Sequence, residues 1–436
     1  MTVDLTKYFD VLEKSYIKKL GRVSQVVGLT IESTGPDVNI GQTCRIKTAR
    51  SGEEILAEVV GFKENHILLM PLGSMGGIGP GSVVEALDKP ITIKVSESLL
   101  GRVLDGLGQP MDGKADIIEG EEFYTSNAPP NPLFRNRIKD PLPLGVKAID
   151  GLLTVGKGQR IGIFSGSGVG KSTIMGMIAR NTRADINVIA LIGERGREVR
   201  EFLEKDLGEE GLKRSVIVIA TSDKPALVRL KAAEVATSIA EYFREKGKDV
   251  MLLMDSLTRF AMAQREVGLA AGEPPVLRGY TPSVFAVMPR LLERAGNSDR
   301  GSITGLYTVL VDGDDLTEPV TDTARGILDG HIVLSRRIAN RNHYPAIDVL
   351  ASISRVMTDI ASTEHKMFSN EIKKSMAVYS NSEDLINIGA YVKGSNPEID
   401  LAISKHDAIN SFLIQDIDEK ISFEDTLAIM EEIVNG

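Results

Sequence analysis

The segment 160–182, "RIGIFSGSGVGKSTIMGMIARNT", decides the fold of this chain. An apolar run, a glycine cluster and a helix-forming stretch follow one another, which is the order of a strand, a loop and a helix. The segment fits a phosphate-binding loop except at one position, where Gly-x-x-x-x-Gly-Lys-[Ser/Thr] requires glycine and this chain has Ser165. We expect serine to be tolerated if its φ is negative, because its backbone amide is still available.

A phosphate cradle needs backbone N–H groups that converge on oxygen atoms at a helix N-terminus. Lys171 is predicted to reach the β- and γ-phosphates of a nucleotide, and the Ser172 hydroxyl is predicted to ligate Mg²⁺. One eight-residue pattern is a moderate signal, so it needs support from other segments. The predicted nucleotide-binding residues of the loop and first helical turn are Gly166, Ser167, Gly168, Val169, Gly170, Lys171, Ser172 and Thr173.

Two further apolar runs end in charged side chains. "DVMLLMDS" delivers Asp255, whose carboxylate can hold a water of the Mg²⁺ shell. "VIALIGERGREV" delivers Glu194, which can polarise the attacking water, and Arg195 beside it. Taken alone, a turn aspartate and a surface glutamate at a helix start would be the simpler interpretations, so the order of the motifs carries the prediction.

Composition narrows the class of protein. A chain of 436 residues predicts two or three domains, and 42% hydrophobic with 25% charged residues is typical of soluble globular proteins. The net charge of −9 weighs against a general nucleic-acid binder. Cys44 is the only cysteine, which favours a reducing cytoplasm. The acidic N-terminal segment predicts no secretory signal, no apolar run is long enough to span a bilayer, and the five scattered histidines predict no structural zinc site.

The pattern of residues divides the chain into four parts. Residues 1–20 predict an amphipathic helix that either packs on its own domain or docks a partner. Short β-rich runs separated by turn residues predict a small β-barrel over 21–95. Strands and helices alternate up to Arg355, which predicts an α/β domain with a parallel sheet over 96–355, entered through an extended proline-rich connector at 120–145. Residues 356–436 are predicted to be helical.

The motifs together resemble a known family. "GSGVGKST", "GERGREV", "LLMDSLTRFA", "DDLTEPVTD", "GILDGHIVLSR" and "YPAIDVLASISR" are similar to the catalytic subunits of rotary ATPases and, more closely, to the flagellar and type III secretion export ATPases. The resemblance extends over nearly the whole chain, including "ESTGPDVNIGQTC", "AEVVGF", "LLMPLG" and "LLGRVLDGLGQPMDG" in the N-terminal half. It implies an N-terminal β-barrel, a central RecA-like P-loop domain with a mostly parallel sheet, and a C-terminal α-helical domain.

The resemblance also implies a role for each residue of the site. Lys171 and Ser172 would hold phosphate and Mg²⁺, Asp255 would support the metal through water, and Glu194 would activate the attacking water. Non-catalytic rotary subunits replace this glutamate, so its presence argues for ATP hydrolysis. Ser165 is the clearest departure from the rotary pattern.

Other residues are implied to complete the site. Arg355, which ends "ASISR", corresponds to an arginine that reaches the γ-phosphate in a neighbouring subunit. Tyr344, which opens "YPAID", corresponds to an aromatic residue that packs on adenine. Arg195 and Arg259 would be secondary contacts near the γ-phosphate.

The implied partners follow from the same resemblance. The protein would form a homo-oligomer, a hexamer by family likeness, at the cytoplasmic side of the inner membrane beside the export gate. The N-terminal helix would dock a stator-like regulator, "GYTPSVFAVMPRLLERAG" (279–296) would contact a central stalk-like protein, and the C-terminal helices would meet chaperone–substrate complexes. No nucleic acid is expected.

Four alternatives remain open from the sequence. An injectisome ATPase and the catalytic subunit of a rotary ATP synthase or ion pump would share every catalytic residue. An RNA-translocating hexamer would need basic and aromatic residues on the barrel, whereas aromatic residues make up only 5% of the chain. A nucleotide-binding subunit that never hydrolyses ATP would have no use for Glu194 and Arg355.

Overall fold

The N-terminal part of the chain is a closed six-stranded barrel in the order β1-β2-β5-β4-β3-β6. The computed structural model describes residues 18–48, 52–87, 90–311 and 315–435, so most of the helix predicted over 1–20 lies outside the described residues. Buried aliphatic side chains, including Val23, Ile46 and Leu69, fill the barrel. The predicted β-barrel is confirmed. Its strands are β1 (Leu20–Val27), β2 (Thr30–Thr34), β3 (Thr43–Lys47), β4 (Glu54–Lys63), β5 (His66–Pro71) and β6 (Val83–Ala86).

The central part is a nine-stranded sheet in the order β17-β16-β10-β15-β13-β11-β12-β8, with β14 paired to β15. All pairs are parallel except those of β14 and β17. Each apolar run singled out in the sequence forms a parallel strand, as predicted. The strands of this sheet are β8 (Val103–Asp105), β10 (Arg160–Ser165), β11 (Ile186–Ile192), β12 (Ser215–Ala220), β13 (Asp249–Asp255), β14 (Gly296–Asn297), β15 (Ser302–Leu310), β16 (Gly330–Leu334) and β17 (Ile347–Ser354).

The central strands read as continuous apolar runs because both faces of the sheet are covered by helices. In β13, Val250 and Leu252 belong to the core on one face, whereas Met251 and Leu253 belong to the core on the other. The helices are α1 (Lys147–Leu152), α2 (Lys171–Asn181), α3 (Gly196–Glu201), α4 (Gly208–Lys213), α5 (Ala226–Glu245), α6 (Leu257–Ala270), α7 (Pro282–Leu292), α8 (Pro319–Ile327), α9 (Arg336–Ala339), α10 (Met357–Ile360), α11 (Thr363–Asn387), α12 (Pro397–Leu413) and α13 (Phe423–Asn435). A π-helical stretch, Phe202–Leu207, joins α3 to α4.

The C-terminal part is helical, as predicted, and packs directly on the central domain. A Cβ atom at Gly151 in α1 would lie 2.6 Å from Met430 Sδ and 3.0 Å from Phe412 Cζ, so α1 approaches α12 and α13 as closely as glycine permits. This contact fixes the C-terminal helices against the sheet. In the described part of the chain, no helix is both long and apolar enough to cross a membrane.

The proline-rich connector is only partly irregular. Its first residues form β9 (Glu121–Tyr124), which pairs with β7 (Thr92–Val95), and a 3₁₀ turn covers Pro132–Phe134. The prediction of extended chain without a strand is therefore wrong at β9, where the pairing partner lies about thirty residues earlier in the chain. Residues 126–140 of the connector are all exposed or half-buried.

Candidate nucleotide site

The phosphate loop lies between β10 and α2, at the carboxyl edge of the parallel strands. Ser165 is the last residue of β10 and pairs in register with Leu310 and Leu334, so it has strand conformation and a negative φ, as the tolerance of serine requires. Gly168 and Gly170 have φ values of +78° and +89°, which a side chain rarely adopts. The glycines of this loop are therefore required at the turns and not at position 165.

The side chain that follows the loop contacts two carboxylates. Lys171 Nζ lies 2.6 Å from Asp255 Oδ1 and 3.6 Å from Glu194 Oε1. The two acids meet because Asp255 ends β13 and Glu194 follows β11, and these adjacent parallel strands have their carboxyl ends at one edge. Thr308 Oγ1 in β15 donates to Asp255 Oδ1 at 2.7 Å. Three residues singled out separately in the sequence thus form one cluster.

Burial and mutual charge set the protonation of this cluster. Burial, the charge of Asp255, and the hydrogen bond and charge of Glu198 together raise the pKa of Glu194 to about 7, against the charge of Lys171, which lowers it. Glu194 Oε1 is buried without a hydrogen-bond partner among the described residues. Burial opposes the charge of Lys171, but Asp255 and Glu194 raise its pKa above its ordinary value. The site therefore holds a charged lysine beside a carboxyl group that titrates near neutral pH.

A cleft of about 610 Å³ adjoins the phosphate loop. The Tyr344 ring forms one wall, and a Cβ atom at Gly170 would lie 3.7 Å from two of its carbons. Residues 414–417, which follow α12, close the cleft from the C-terminal side. The Gln415 N–H donates to the Tyr344 carbonyl at 3.0 Å, so the two walls are joined.

Two residues that shape this site, Gln415 and Arg336, were not predicted from the sequence. Buried Gln415 accepts from the Lys147 N–H at 2.8 Å and donates to the Gly145 carbonyl at 2.9 Å, which fixes the C-terminal segment against the central domain. Arg336 Nη2 donates to the Ser167 carbonyl of the phosphate loop at 3.3 Å. Arg336 ends the motif "GILDGHIVLSR", and this position could have indicated that it belongs to the site.

Two predicted arginines lie near the cluster without joining it. Arg195 has a side chain that is 78% exposed and pairs with Glu198 at 3.5 Å. Arg259 packs against Gly193, the residue before Glu194, and its Nε is buried without a partner among the described residues. Neither guanidinium contacts Lys171 or Asp255 in the described contacts.

Arg355 lies at the opposite edge of the sheet. It follows β17, whose last residue Ser354 pairs with Gly330 at the start of β16, whereas Leu334 at the end of β16 pairs with Ser165 beside the phosphate loop. Strand β16 has five residues and therefore spans about 13 Å. Arg355 is exposed, and its guanidinium donates to the Arg325 carbonyl at 3.3 Å. The chain's own phosphate loop is out of its reach.

Comparison with known proteins identifies the family. The nucleotide-binding domain of the ATP synthase alpha/beta family matches residues 145–354, and the beta-barrel domain of that family matches residues 23–88. The C-terminal domain of the T3SS EscN ATPase matches residues 361–432. The flagellum-specific ATP synthase of Bacillus subtilis (strain 168) is 58% identical over 420 residues, which is 96% of each chain. This chain belongs to the flagellar and type III secretion ATPase family.

Other members of the export ATPase family agree over similar lengths. The type 3 secretion system ATPase of Xanthomonas euvesicatoria is 50% identical over 96% of this chain and 95% of its own. The structure of the assembled ATPase EscN from enteropathogenic E. coli superimposes with a TM-score of 0.90 at 47% identity and covers 95% of this chain and 100% of its own. EscN in complex with its central stalk EscO gives a TM-score of 0.88. The predicted resemblance is confirmed, and the chain is an export ATPase.

Proposed function

We propose that this export ATPase hydrolyses ATP at the Lys171 cluster and that the reaction drives flagellar protein export. The observation that carries the proposal is the meeting of Lys171, Asp255 and Glu194 at the phosphate loop. In the free protein, Asp255 and Glu194 neutralise Lys171. The β- and γ-phosphates of a bound nucleotide would replace them as its partners, because a triphosphate carries more charge and reaches the lysine through the loop.

The chemistry of the donors fits Mg²⁺. The Ser172 hydroxyl and the buried Asp255 carboxylate are hard oxygen donors of the kind that Mg²⁺ prefers. Within the described residues, no group of three His, Cys, Asp or Glu side chains could hold a metal ion alone. This agrees with an ion whose shell is completed by nucleotide phosphates and water. When bound, Mg²⁺ neutralises charge on the phosphates; Ser172 would ligate it directly and Asp255 through water.

Glu194 would orient and polarise the attacking water. Its Oε1 is buried and accepts no hydrogen bond from the described residues, so it is available to a water molecule. A pKa near 7 suits a general base at neutral pH, because the carboxylate form is populated and still basic. The water oxygen would bond to the γ-phosphorus and give a proton to Glu194, while the bond from the γ-phosphorus to the β,γ-bridging oxygen breaks and ADP leaves.

The cleft beside Tyr344 would hold the nucleotide base. Gly166, Ser167, Gly168, Val169, Gly170 and Thr173 would surround the phosphates. An aromatic ring stacks on any base, so the pocket would select for the triphosphate more strongly than for adenine. Arg195 and Arg259 would act as secondary contacts only if Mg·ATP draws them inward.

Arg355 would complete the site of a neighbouring copy, since the phosphate loop of its own chain lies at the opposite edge of the sheet. An arginine that stabilises charge on the γ-phosphate contributes about 10³–10⁵ in rate. The chain would therefore work as a ring, and six copies follow from the family likeness. The solved relative EscN is described as assembled, which supports an oligomer here.

The remaining partners are proposals of the same kind. In α7, the exposed residues Pro282, Ala286 and Arg290 lie four apart on one face, and this face would meet a central stalk, as EscN meets EscO. The N-terminal helix would dock a stator-like regulator, and the C-terminal helices would receive chaperone–substrate complexes. The protein would act in the cytoplasm, peripheral to the membrane export gate. Flagellar rather than injectisome export is favoured by the flagellum-specific relative from Bacillus subtilis.

The test is the ATPase rate per chain against protein concentration, for the parental chain and for Arg355→Ala. We expect the parental rate to rise steeply as copies associate and the Arg355→Ala rate to stay low at every concentration. Glu194→Gln should bind Mg·ATP and not hydrolyse it. A dilute, monomeric parental chain with full activity would refute the shared site.

A further inference from the structure

A nearly buried arginine lies at the amino end of β10, away from the phosphate loop. Arg160 begins this strand, Ser165 ends it, and the side chain of Arg160 is 14% exposed. Its guanidinium forms a fork with one carboxylate: Nε lies 3.1 Å from Asp329 Oδ2, and Nη2 lies 3.2 Å from Asp329 Oδ1. The third nitrogen, Nη1, forms an ion pair with Glu293, which follows α7. One cation thus holds two carboxylates at the amino end of the parallel strands.

The backbone also joins Arg160 to Asp329. The Arg160 N–H donates to Asp329 Oδ2 at 3.0 Å, and the Asp329 N–H donates to the Arg160 carbonyl at 2.8 Å. Asp329 immediately precedes β16, so these bonds fix the place where that strand begins. The fork sets direction as well as distance, because the guanidinium is planar.

Asp329 in turn holds the backbone of Arg355. The Arg355 N–H donates to the Asp329 carbonyl at 3.0 Å. The adjoining residues lie in register, since Gly330 pairs with Ser354. A Cβ atom at Gly330 would lie 2.5 Å from the Ile353 carbonyl oxygen, so β16 and β17 meet as closely as glycine permits. A displacement of Asp329 would therefore move Arg355 with it.

The side chain of Arg355 has few other contacts that orient it. Its Nη2 donates to the Arg325 carbonyl at 3.3 Å, and in the described part of the chain no carboxylate pairs with it. An exposed arginine has many conformations, so the place of its backbone decides how far the guanidinium reaches. A positioned group that is misplaced by about 1 Å can cost about 10²-fold in rate.

We propose that Arg160 is a positioning residue for ATP hydrolysis, which fixes the backbone of Arg355 through Asp329 and so acts on the site of the neighbouring copy. The inference rests on the proposed function, in which Arg355 reaches the phosphates of that neighbour. In the described contacts, Arg160 does not touch its own phosphate loop, which follows the other end of β10. A change at Arg160 should therefore lower kcat and leave nucleotide binding by the same chain intact.

The first test is Arg160→Lys, which keeps the positive charge but cannot form the fork with Asp329. In assembled rings, its kcat should fall at least about tenfold. Its KM for ATP, and the protein concentration at which rings form, should stay within about twofold of the parental values. A parental kcat, or a loss of rings that accounts for the lower rate, overturns the proposal.

Arg102→Lys is the matched control. Arg102 is 12% exposed and forms the same fork, with Nε 2.7 Å from Asp112 Oδ2 and Nη2 3.1 Å from Asp112 Oδ1. It precedes β8, at the far side of the sheet from β17. Arg102→Lys should keep the parental kcat within about twofold. A loss equal to that of Arg160→Lys would make the effect a general result of breaking such a fork, and overturns the proposal.

Mixed rings show whether Arg160 acts on its own site or on the neighbour's. Arg160→Lys keeps its phosphate loop and Glu194, whereas Glu194→Gln keeps a positioned Arg355. When the two are mixed, each Arg160→Lys chain should hydrolyse ATP at least about threefold faster than in rings of its own kind. Mixed with Arg355→Ala it should gain nothing, because neither variant offers a positioned arginine. The reverse pattern would put the defect in the chain's own site, and overturns the proposal.

A second variant changes the other end of the same link. Asp329→Asn keeps the size of the side chain and the carbonyl that binds Arg355, but removes the charge that orients the fork of Arg160. Its kcat should fall at unchanged KM, and mixing with Glu194→Gln should restore it. The double variant should lose no more than the larger single loss, since both changes act through one link. Parental activity of Asp329→Asn overturns the proposal.

Failure of this proposal differs from failure of the proposed function. The reference is a mixture of Arg355→Ala with Glu194→Gln. If this mixture regains activity and Arg160→Lys is as active as the parent, the shared site stands and the positioning role of Arg160 does not. If the mixture stays inactive and the dilute parental chain is fully active, the proposed function fails, and the positioning role fails with it.

Discussion

Lys171 Nζ lies 2.6 Å from Asp255 Oδ1, with side-chain exposures of 14% and 6%. The ion pair joins the first residue of α2 to the end of β13, and Glu194 lies within 3.6 Å of the same ammonium group. The free protein therefore keeps its phosphate-binding lysine charged and positioned before any nucleotide arrives.

The first prediction concerns removal of this cation. Lys171→Met leaves two buried carboxylates uncompensated and should lower the free energy of unfolding by about 3 kcal/mol at pH 8, besides abolishing hydrolysis. The loss should shrink toward pH 5.5, since Glu194, whose pKa is raised to about 7, then takes up a proton and needs no cation. Urea unfolding without nucleotide at both pH values measures it. Lys213→Met breaks an exposed pair with Glu210 and should change stability little; an equal loss in both variants would contradict the prediction.

The second prediction concerns pH. The folded-state pKa of Glu194 is raised to about 7, so its basic form is lost as pH falls through 7. The acidic limb of kcat/KM for the free enzyme should therefore have its midpoint near pH 7. Glu198→Gln removes a negative neighbour that raises this pKa and should move the limb to lower pH. A parental limb near pH 4.5, or one that Glu198→Gln leaves in place, would show that another group limits the rate.

The third prediction concerns the base cleft. Tyr344→Ala should raise KM for ATP about tenfold with a smaller effect on kcat, because base–aromatic stacking contributes about 1–3 kcal/mol. Tyr344→Phe should behave like the parent. Tyr124→Ala removes a tyrosine that is 56% exposed outside the cleft and serves as the control. Steady-state kinetics decide the matter, and an unchanged KM for Tyr344→Ala would place the base elsewhere.

The fourth prediction concerns the departure from the phosphate-loop pattern. Ser165 has strand conformation and a buried hydroxyl without a partner in the described structure, so Ser165→Gly should alter the rate by less than about twofold. Gly170→Ala forces a side chain into φ +89° beside Tyr344 and should reduce kcat/KM at least about tenfold, since misplacing a positioned group by about 1 Å can cost that much. A large effect of Ser165→Gly would mean that the hydroxyl takes part in nucleotide binding.

The strands and loops that are marked by patterns within one short segment were predictable from the sequence. The apolar runs at β10, β11 and β13 predicted a parallel sheet, and the residues at their carboxyl ends predicted a common edge. Because strands of one parallel sheet end together, Lys171, Asp255 and Glu194 could be expected to meet, and they do.

Contacts between distant segments were not predictable in this way. Gln415 closes the base cleft through hydrogen bonds to residues about 270 positions earlier, and no period or composition marks it. The short strand β8 joins the sheet beyond β12 although it precedes the connector. The position of Arg355 depends on β17 running antiparallel to β16, which only the topology reveals.

Whether two chains jointly form each ATP site can be measured by mixing two inactive variants. Arg355→Ala keeps its own phosphate loop and Glu194, whereas Glu194→Gln keeps its arginine. In randomly mixed rings, about a quarter of the interfaces would pair an intact carboxylate with an intact arginine, and hydrolysis should return where neither variant alone shows any. A mixture as inactive as its components, under conditions in which both assemble, would mean that one chain carries the whole site.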